Sequence, residues 1–347
     1  MNRLIGALCL AAGFAGTLAA MSWLLPFDYD PSLHVKFEHF KATKDDYTVL
    51  AIGASRVFRE IVPDRLDSTF RARGIESRTF NMALAGMESL EAHFILEHVA
   101  ALHPKNLRVV LVGTDLLPGN YESWEIDPVN TRNVYWRTPA ETARDVLNHA
   151  RGASGPRDML RILYHSLVLG AYRWTMRGRL SDAILLALDP PSPSIYERNF
   201  AQWRGYFPLE LDPFETFVEM HKAFVENPGT FASYLSGAAD DFHPPAPPYP
   251  PQFHAARSIL NLARQNGWKV VFLRPSLEIL DRSYPTGCED PSPDCVAIGF
   301  EDRRKYPALY RYSSYYDYLH LNRKAAADFS GQVAERILDE EGFLANR

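Results

Sequence analysis

The sequence contains little that would support metal, nucleotide or nucleic-acid chemistry. Cysteine occurs three times in 347 residues, and the chain has no His-Glu-x-x-His motif, phosphate-binding loop or cluster of metal-ligand residues. Lysine and arginine form no basic run, and the net charge is −5. Nucleic acid is therefore not an expected partner, and we expect neither a metal ion nor an organic cofactor.

The spacing of two of the cysteines indicates the kind of cellular compartment in which the chain resides. Cys288 and Cys295 stand in a short proline-containing stretch, Gly-Cys-Glu-Asp-Pro-Ser-Pro-Asp-Cys. A pair of this kind is typical of a local disulfide, which persists only in an oxidising compartment. Zinc is a poor alternative, because two thiolates without a nearby histidine or second cysteine pair do not complete a zinc site. We predict a Cys288–Cys295 disulfide.

The N-terminal segment predicts the localisation. Leu4–Leu25 carries no charge and is long enough to cross a bilayer as a helix. A cleaved signal peptide is the alternative, because Thr17-Leu18-Ala19 resembles a cleavage site, but the apolar run continues beyond it. Arg3 precedes the segment, and acidic residues follow it. We therefore expect residues 1–25 to be a single-pass anchor in the cell membrane, with the bulk of the chain on the extracytoplasmic, periplasmic side.

The rest of the chain has the composition of an ordered globular protein, with 46% hydrophobic and 23% charged residues. Short apolar runs alternate with segments of helical character. The predicted strands are 47–54, 78–82, 108–113 and 268–273, and the predicted helices are 63–74, 88–103, 253–266 and 322–341. This alternation predicts an α/β domain with a mostly parallel sheet and helices on both faces, formed by residues 46–118 and 253–347.

Two segments do not follow the alternation. Residues 26–45 have the character of a polar connector. Residues 119–252 contain helix-like stretches separated by Asp-Pro, Pro-Pro and Asn-Pro-Gly sequences. We predict that 119–252 is a large, mainly helical insertion, closed by a stiff proline-rich connector at 244–251.

A serine, an aspartate and a histidine could take part in catalysis at the carboxyl edge of this sheet, where ligands bind in such folds. Ser55 comes directly after the first predicted strand, although a serine there can also be a simple helix cap. Asp317-Tyr318-Leu319-His320 precedes the last helix. An aspartate three residues before a histidine can bind the imidazole Nδ1–H and leave Nε2 free as a base. Taken alone, an exposed aspartate and a structural histidine would be the more common explanation of that motif.

The combination resembles the SGNH (GDSL-type) hydrolase superfamily, which has a serine after strand one, a glycine turn after strand two and Asp-x-x-His before the last helix. The resemblance covers about residues 46–118 and 268–340. It implies that Ser55 is the nucleophile, that Gly86 is the oxyanion-hole glycine and that Asp317 and His320 are the acid and base.

One block departs from the family pattern. The family has Gly-x-Asn after strand three, and this asparagine donates to the oxyanion, whereas the present chain has Gly113-Thr114-Asp115. An ionised aspartate only accepts hydrogen bonds and would repel an oxyanion. Either Asp115 has another role, or the oxyanion hole consists of the backbone N–H groups of Ser55 and Gly86.

The Gly-x-Ser-Arg turn and the N-terminal anchor look most similar to the membrane-anchored branch, which includes alginate-type O-acetyltransferases and the D-alanyl-transfer protein of the teichoic-acid pathway. The resemblance implies a serine O-acyltransferase or esterase that acts on acyl esters of a cell-surface polysaccharide. It also implies a multispanning membrane protein as acyl-carrier partner. The alternative is an inactive SGNH-fold protein that serves in polysaccharide binding or assembly.

Aromatic residues crowd the approach to Asp317, where six tyrosines lie within thirteen residues: Tyr306, Tyr310, Tyr312, Tyr315, Tyr316 and Tyr318. Ordinary loop packing is the favoured interpretation. A stacking surface for sugar rings beside the site is the sharper alternative.

Overall fold

The computed structural model describes residues 2–24, 31–87, 89–114, 202–240, 250–275, 292–300 and 302–340, together with Cys288, residues 199–200 and scattered positions between 143 and 170. The chain divides into two compact units. The first comprises Met1–His34 and Asn120–Ser194, and the second comprises Val35–Gly119 and Ile195–Arg347. Both segments of the predicted α/β domain lie in the second unit.

A five-stranded parallel sheet forms the centre of the second unit. Its strands are β1 (Val49–Ile52), β2 (Thr79–Asn81), β3 (Val109–Gly113), β4 (Lys269–Arg274) and β5 (Cys295–Gly299). The spatial order is β2-β1-β3-β4-β5, and every neighbouring pair is parallel. The predicted α/β class with a parallel sheet is confirmed.

The helices are α1 (Asn2–Leu24), α2 (Pro31–Thr43), α3 (Ser55–Glu60), α4 (Pro63–Ala72), α5 (Ser89–Ala101), α6 (Glu215–Glu226), α7 (Pro228–Asp240), α8 (Pro250–Gln265) and α9 (Arg323–Asp339). Single 3₁₀ turns cover Lys44–Asp46, Leu209–Leu211, Pro307–Tyr310 and Tyr312–Ser314. Helix α9 begins after Asn322, whose side chain accepts a hydrogen bond from the Ala325 N–H at 3.0 Å. An asparagine side chain that accepts a backbone N–H of the first turn is a common N-terminal cap of a helix.

The central strands are buried on both faces, as the continuous apolar runs predict. Successive side chains of a strand point to opposite faces, so Val49 and Ala51 share one face of β1, and Leu50 and Ile52 share the other. Val49 and Ala51 belong to a hydrophobic cluster that includes side chains of α3, α4 and α9. Helix α9 packs against α3 and α4, and α5 packs against α8.

The chain order places a topological switch point between β1 and β3. From β1 the chain crosses to β2 on one side, whereas β3 leads to β4 and β5 on the other side. The loops after β1 and β3 therefore diverge and leave a crevice at the carboxyl edge of the sheet, where ligands bind in open α/β folds. Ser55 follows the two-residue turn Gly53-Ala54 after β1, at this edge.

The predicted connector 26–45 contains helix α2, which the sequence interpretation missed. Phe37 and Phe40 are buried, and the Phe40 ring packs against Tyr47 and Phe80. The segment was misread because its apolar residues alternate with lysine, histidine and glutamate, which lowers its average hydropathy. The spacing of its two phenylalanines on one helical face is the signal that could have identified it.

The predicted insertion is divided between the two units, because Ile195 and the residues after it belong with the sheet. Its described C-terminal part contains α6 and α7. The proline-rich connector at 244–251 is shorter than predicted, because α8 already begins at Pro250. Proline is tolerated in the first turn of a helix, where its missing N–H has no intrahelical partner.

The predicted membrane anchor falls in α1. Across the described ranges, no helix combines the length and the apolarity that crossing a membrane requires. The predicted transmembrane helix within residues 1–25 is therefore not confirmed.

Cys288 and Cys295 form a disulfide, with their Cα atoms 5.8 Å apart. Both side chains are buried, and Cys295 is the first residue of β5. A bridge across seven residues closes a small loop, so we expect it to constrain local structure more than global stability. Mass spectrometry of non-reduced peptides should therefore recover one cross-linked pair from protein isolated from its native compartment. Two free thiols in that protein would contradict the pairing.

Candidate active site

Ser55 is the first residue of α3, at the end of a tight turn from β1. A Cβ atom at Gly53 would lie 2.5 Å from Val57 Cγ2 and 3.3 Å from the Gly113 Cα. Glycine is therefore required at position 53, because β3 and the first turn of α3 approach its backbone closely. The turn leaves Ser55 partly exposed, whereas Gly53 and Ala54 before it are buried.

The Asp-x-x-His motif lies in a narrow loop between Tyr315 and Leu321. These two residues form an isolated antiparallel bridge, and the Tyr316 N–H donates to the His320 carbonyl at 2.9 Å. The loop thus returns on itself within a few residues, and this return brings the Asp317 carboxylate to the His320 ring. Asp317 is fully buried and His320 is nearly so.

The structure brings Ser55, His320 and Asp317 into one hydrogen-bonded chain. His320 Nε2 lies 2.8 Å from Ser55 Oγ, and His320 Nδ1 lies 2.9 Å from Asp317 Oδ2 and 3.0 Å from Oδ1. An ionised carboxylate can only accept, so Nδ1 of a neutral His320 carries the proton. Nε2 then accepts from the Ser55 hydroxyl, which is the arrangement that a general base needs.

Asp317 is held in its ionised form. Its burial would by itself raise the pKa of this carboxyl group, but the hydrogen bond and charge of His320 oppose that effect. The N–H groups of Leu319 and His320 also donate to Asp317 Oδ1, each at 2.8 Å. The net result is an Asp317 pKa below its usual value. Asp317 therefore remains an acceptor and does not take the proton from His320.

This lowered pKa predicts a pH-dependent contribution to stability. The ionised form of Asp317 is favoured in the folded state, so its contribution is present above the unfolded pKa of about 4 and is lost as pH falls through the lower folded value. We expect Asp317→Asn to be less stable than wild type at pH 7, with the difference shrinking below about pH 4. Urea unfolding at a series of pH values measures the difference. A stability difference between the two proteins that does not change with pH would contradict the ionised state assigned to Asp317 in the folded protein.

Asn81 connects helix α3, which begins at Ser55, with the segment that carries the predicted oxyanion glycine. This fully buried side chain donates to the carbonyls of Val57 and Ile61 in and after α3, both at 2.9 Å, and accepts from the Ala83 N–H at 3.1 Å. Farther along, the Leu84 N–H donates to the Gly53 carbonyl at 3.1 Å. The segment after β2 is thereby held beside the turn that carries Ser55.

Glu60 connects the same helix with the histidine loop. Its Oε1 accepts from the Leu321 N–H at 3.1 Å, and its carbonyl accepts from the Ser330 hydroxyl of α9 at 2.8 Å. Leu321 follows His320 directly. The distance between Ser55 and His320 is therefore set by contacts that α3 makes with the segment after β2 and with the histidine loop.

Two further charged residues anchor this region, and the sequence interpretation missed both. Lys36 of α2 is completely buried, donates to the Ala83 carbonyl at 2.5 Å and lies 3.8 Å from the centre of the Phe58 ring. Arg59 of α3 forms a buried ion pair with Asp212, at 2.5 Å. No sequence motif identifies them, because their partners are a backbone carbonyl and a residue over 150 positions away.

Gly86 has a left-handed backbone conformation, with a φ of 64°, and lies in an exposed turn two residues after Leu84. A Cβ added there would meet no atom within 4 Å, so the glycine serves the backbone conformation and not close packing. Asp115, which replaces the asparagine of the family pattern, lies outside the described residues. Thr114 before it is buried and donates its N–H to the Leu273 carbonyl at 2.9 Å.

The arrangement can deprotonate a serine hydroxyl and needs no metal ion to do so. Among the residues with described positions, no group of three or more histidine, cysteine, aspartate and glutamate side chains is placed to hold a metal ion. No protein-family model matches the chain, and no curated protein matches it significantly.

Proposed function

We propose that the chain is a serine-dependent acyl-ester enzyme of the SGNH type. The observation that carries this proposal is the continuous hydrogen-bonded chain from Ser55 Oγ through the His320 ring to the Asp317 carboxylate. Its position at the carboxyl edge of the sheet, beside the switch point, is where open α/β folds bind ligands. A helix-capping serine would need no histidine at 2.8 Å.

The strand order supports the finer fold assignment. The order β2-β1-β3-β4-β5 is that of flavodoxin-like sheets, with helices in layers on both faces. Domains of the SGNH superfamily, which the sequence resembles, have this three-layer arrangement. The assignment rests on the strand order together with the places of Ser55, Gly86 and the Asp317–His320 motif in it.

The proposed reaction has two half-reactions with the same proton carrier. His320 Nε2 takes the proton of Ser55 Oγ as this oxygen attacks the carbonyl carbon of an acyl ester. The proton then passes from His320 to the leaving oxygen, and the acyl group remains on Ser55 as an ester. An acceptor hydroxyl or water, deprotonated by His320, attacks that ester and releases Ser55, whose oxygen recovers the proton. Asp317 stabilises the imidazolium form of His320 in both halves.

The oxyanion of each tetrahedral intermediate requires hydrogen-bond donors. We assign this role to the backbone N–H groups of Ser55 and Gly86. The contacts of Asn81 and Leu84 that hold the 82–86 segment beside the Ser55 turn support this assignment. Asp115 has no part in the assignment, since a carboxylate cannot donate.

We further propose that the enzyme acts outside the cytoplasm on a cell-surface polysaccharide, held to the membrane by residues 4–25. The disulfide supports an oxidising compartment. Acyl-CoA is cytoplasmic, so an extracytoplasmic transferase needs a multispanning membrane protein to deliver its acyl group. That partner is proposed by analogy with the family.

The proposed topology predicts the behaviour of C-terminal fusions. A reporter that is active only outside the cytoplasm should give a strong signal when it is fused after Arg347. A reporter active only in the cytoplasm should be silent at the same position, because the bulk of the chain lies on the opposite side. Strong activity of the cytoplasmic reporter would contradict the proposed orientation.

The proposed function is tested by the turnover of an aryl acetate with the purified chain. Release of the aryl alcohol reports acylation of Ser55, and added saccharide acceptors report how the acyl group divides between transfer and hydrolysis. Acetylated saccharide among the products supports an acyltransferase, whereas acetate alone supports an esterase. Absence of turnover with every aryl ester would favour the alternative of an inactive polysaccharide-binding or assembly protein.

A further inference from the structure

Helix α6 packs against the histidine loop, the segment that carries Asp317 and His320. The helix lies within 119–252, the part of the chain that the family resemblance does not cover. Both the helix and the loop belong to the second compact unit. Among the described residues, three hydrogen bonds join the helix to this loop and the 3₁₀ turn before it, each from a side chain to a backbone carbonyl: His221 to Tyr316, Tyr312 to Phe224 and Tyr318 to Ala223.

His221 makes two contacts with Tyr316, the residue directly before Asp317. Its Nδ1 atom lies 2.7 Å from the Tyr316 carbonyl oxygen. Because a backbone carbonyl can only accept, Nδ1 of His221 carries the proton and donates it. The two rings also stack, with their centres 4.2 Å apart and their planes inclined by 13°. The contact therefore has a defined distance and a defined orientation.

This contact fixes the backbone that leads into Asp317. The Tyr316 carbonyl and the Asp317 N–H belong to one planar peptide unit, whose orientation sets the direction in which the Asp317 side chain leaves the loop. Within the loop, the Tyr316 N–H donates to the His320 carbonyl at 2.9 Å. Tyr316 is thus held by the loop through its N–H and by α6 through its carbonyl.

Other contacts keep α6 in place beside the loop. The Tyr318 hydroxyl donates to the Ala223 carbonyl, and the Tyr312 hydroxyl donates to the Phe224 carbonyl, both at 3.1 Å. The buried Phe224 ring stacks on Tyr312, with the ring centres 4.5 Å apart. The helix is therefore docked independently of His221, and a substitution at position 221 removes only the contact with Tyr316.

We propose that His221 is a positioning residue for the hydrogen-bonded chain that starts at Ser55. It donates from Nδ1 to the Tyr316 carbonyl and so fixes the peptide unit before Asp317. The Asp317 carboxylate then stays within reach of His320 Nδ1, its two oxygens being 2.9 and 3.0 Å away. The role of His221 in catalysis rests on the proposed function, whereas its effect on the placement of Asp317 does not.

Two substitutions of His221 separate the hydrogen bond from the ring stack. His221→Asn keeps a donor, because its amide nitrogen is bonded to Cγ as Nδ1 is, and loses the ring. His221→Phe keeps a ring that can stack on Tyr316 and loses the donor. If the hydrogen bond positions Asp317, the asparagine variant resembles the wild type and the phenylalanine variant does not.

Steady-state kinetics with an aryl acetate measure the effect on turnover. We expect His221→Phe to lower kcat by about 10- to 100-fold, because small displacements of a positioned group have effects of this size. KM should change by less than about threefold, since the loss of an interaction made only in the transition state lowers kcat alone. His221→Asn should restore kcat to within about threefold of the wild-type value, because it retains the donor.

Proton NMR of the chain with isotopically labelled histidine gives a readout that does not require turnover. The Nδ1–H of His320 should give a resolved downfield signal, because its partner is the buried carboxylate of Asp317. His320→Gln assigns this signal by removing it. We expect the signal to be retained in His221→Asn and to broaden or disappear in His221→Phe.

His98→Phe is the matched control. The Nδ1 atom of His98 lies 2.9 Å from the Phe94 carbonyl in α5, so this variant loses the same kind of hydrogen bond outside the histidine loop. Both kcat and the His320 signal should remain at the wild-type level. Thermal unfolding midpoints check that each variant is folded. Should His221→Phe fail to fold, His221→Gln makes the same comparison, because its amide nitrogen lies one bond farther from the backbone.

An unchanged kcat or an unchanged His320 signal in His221→Phe would overturn the proposal. A loss of kcat in His221→Asn as large as that in His221→Phe would also overturn it, because the donor would then have no effect. If the wild-type chain turns over no aryl ester, the proposed function fails, and the His320 signal alone decides whether His221 positions Asp317.

Discussion

Replacing Ser55 with alanine is expected to lower kcat/KM for an aryl acetate by about 10⁴-fold or more, because the nucleophile and its covalent intermediate are lost. The protein should remain folded, because Ser55 is partly exposed and the alanine methyl group is smaller than its side chain. Steady-state kinetics with purified protein measure the loss, and the unfolding midpoint checks the fold.

Ser68→Ala is the matched control. Ser68 is an exposed serine of α4 whose hydroxyl donates to the Arg65 carbonyl within the same helix. Its replacement should change kcat/KM by less than about twofold, since surface substitutions rarely have larger effects. If Ser55→Ala retained most of the turnover, another group would be the nucleophile, and the contact between Ser55 and His320 would be structural only.

Asp212→Ala is expected to lower the free energy of unfolding by about 3–5 kcal/mol, because it leaves the Arg59 guanidinium buried without its counter-ion. Both side chains of this pair are almost fully buried, at 2% and 0% exposure. Arg59 also donates to the Phe207 carbonyl at 3.1 Å, which is not enough to satisfy a buried cation. Urea unfolding followed by circular dichroism measures the change.

Glu335→Ala provides the control, because Glu335 pairs with Arg73 at 2.8 Å on the surface, with the two side chains 45% and 57% exposed. An exposed pair contributes about 0–1 kcal/mol, so this variant should be close to wild type. The double variant Arg59→Met/Asp212→Leu should recover much of the lost stability, since it removes both charges together. If Asp212→Ala and Glu335→Ala lowered the free energy of unfolding equally, burial would not strengthen the Arg59–Asp212 pair.

The central sheet could be predicted from the sequence because its strands are short, continuously apolar runs bounded by glycine or polar residues. Strands β1 to β4 all lie within or close to their predicted ranges. Strand β5 was missed because it is a half-buried edge strand of five residues, directly after the proline-containing loop. Buried and partly exposed residues do not alternate regularly along this strand, so no period-two pattern separates it from a loop.

The nucleophile, base and acid could be predicted because their local patterns are strict: a serine directly after a strand, and an aspartate three residues before a histidine. Their convergence could be expected only through the family pattern, since 265 positions separate Ser55 from His320. The supporting contacts of Asn81 and Glu60 could not be predicted. They are made with backbone groups of other segments, and backbone groups leave no trace in sequence composition.

The tyrosine-rich segment could be located from the sequence, but the contacts of its members could not. The hydroxyls of Tyr312 and Tyr318 donate to backbone carbonyls of α6, and the Tyr316 ring stacks on His221 of the same helix. The two carbonyls lie 88 and 95 positions away along the chain, so no local pattern identifies them.

The central claim, that Ser55 is a nucleophile activated by His320, is tested most directly by labelling with a serine-reactive organophosphonate. Intact-protein mass spectrometry should show one adduct, and peptide mapping should place it on Ser55. The Ser55→Ala chain should remain unlabelled, and His320→Ala should be labelled far more slowly. A folded wild-type chain that takes up no label, or that is labelled equally well after Ser55→Ala, would contradict the claim.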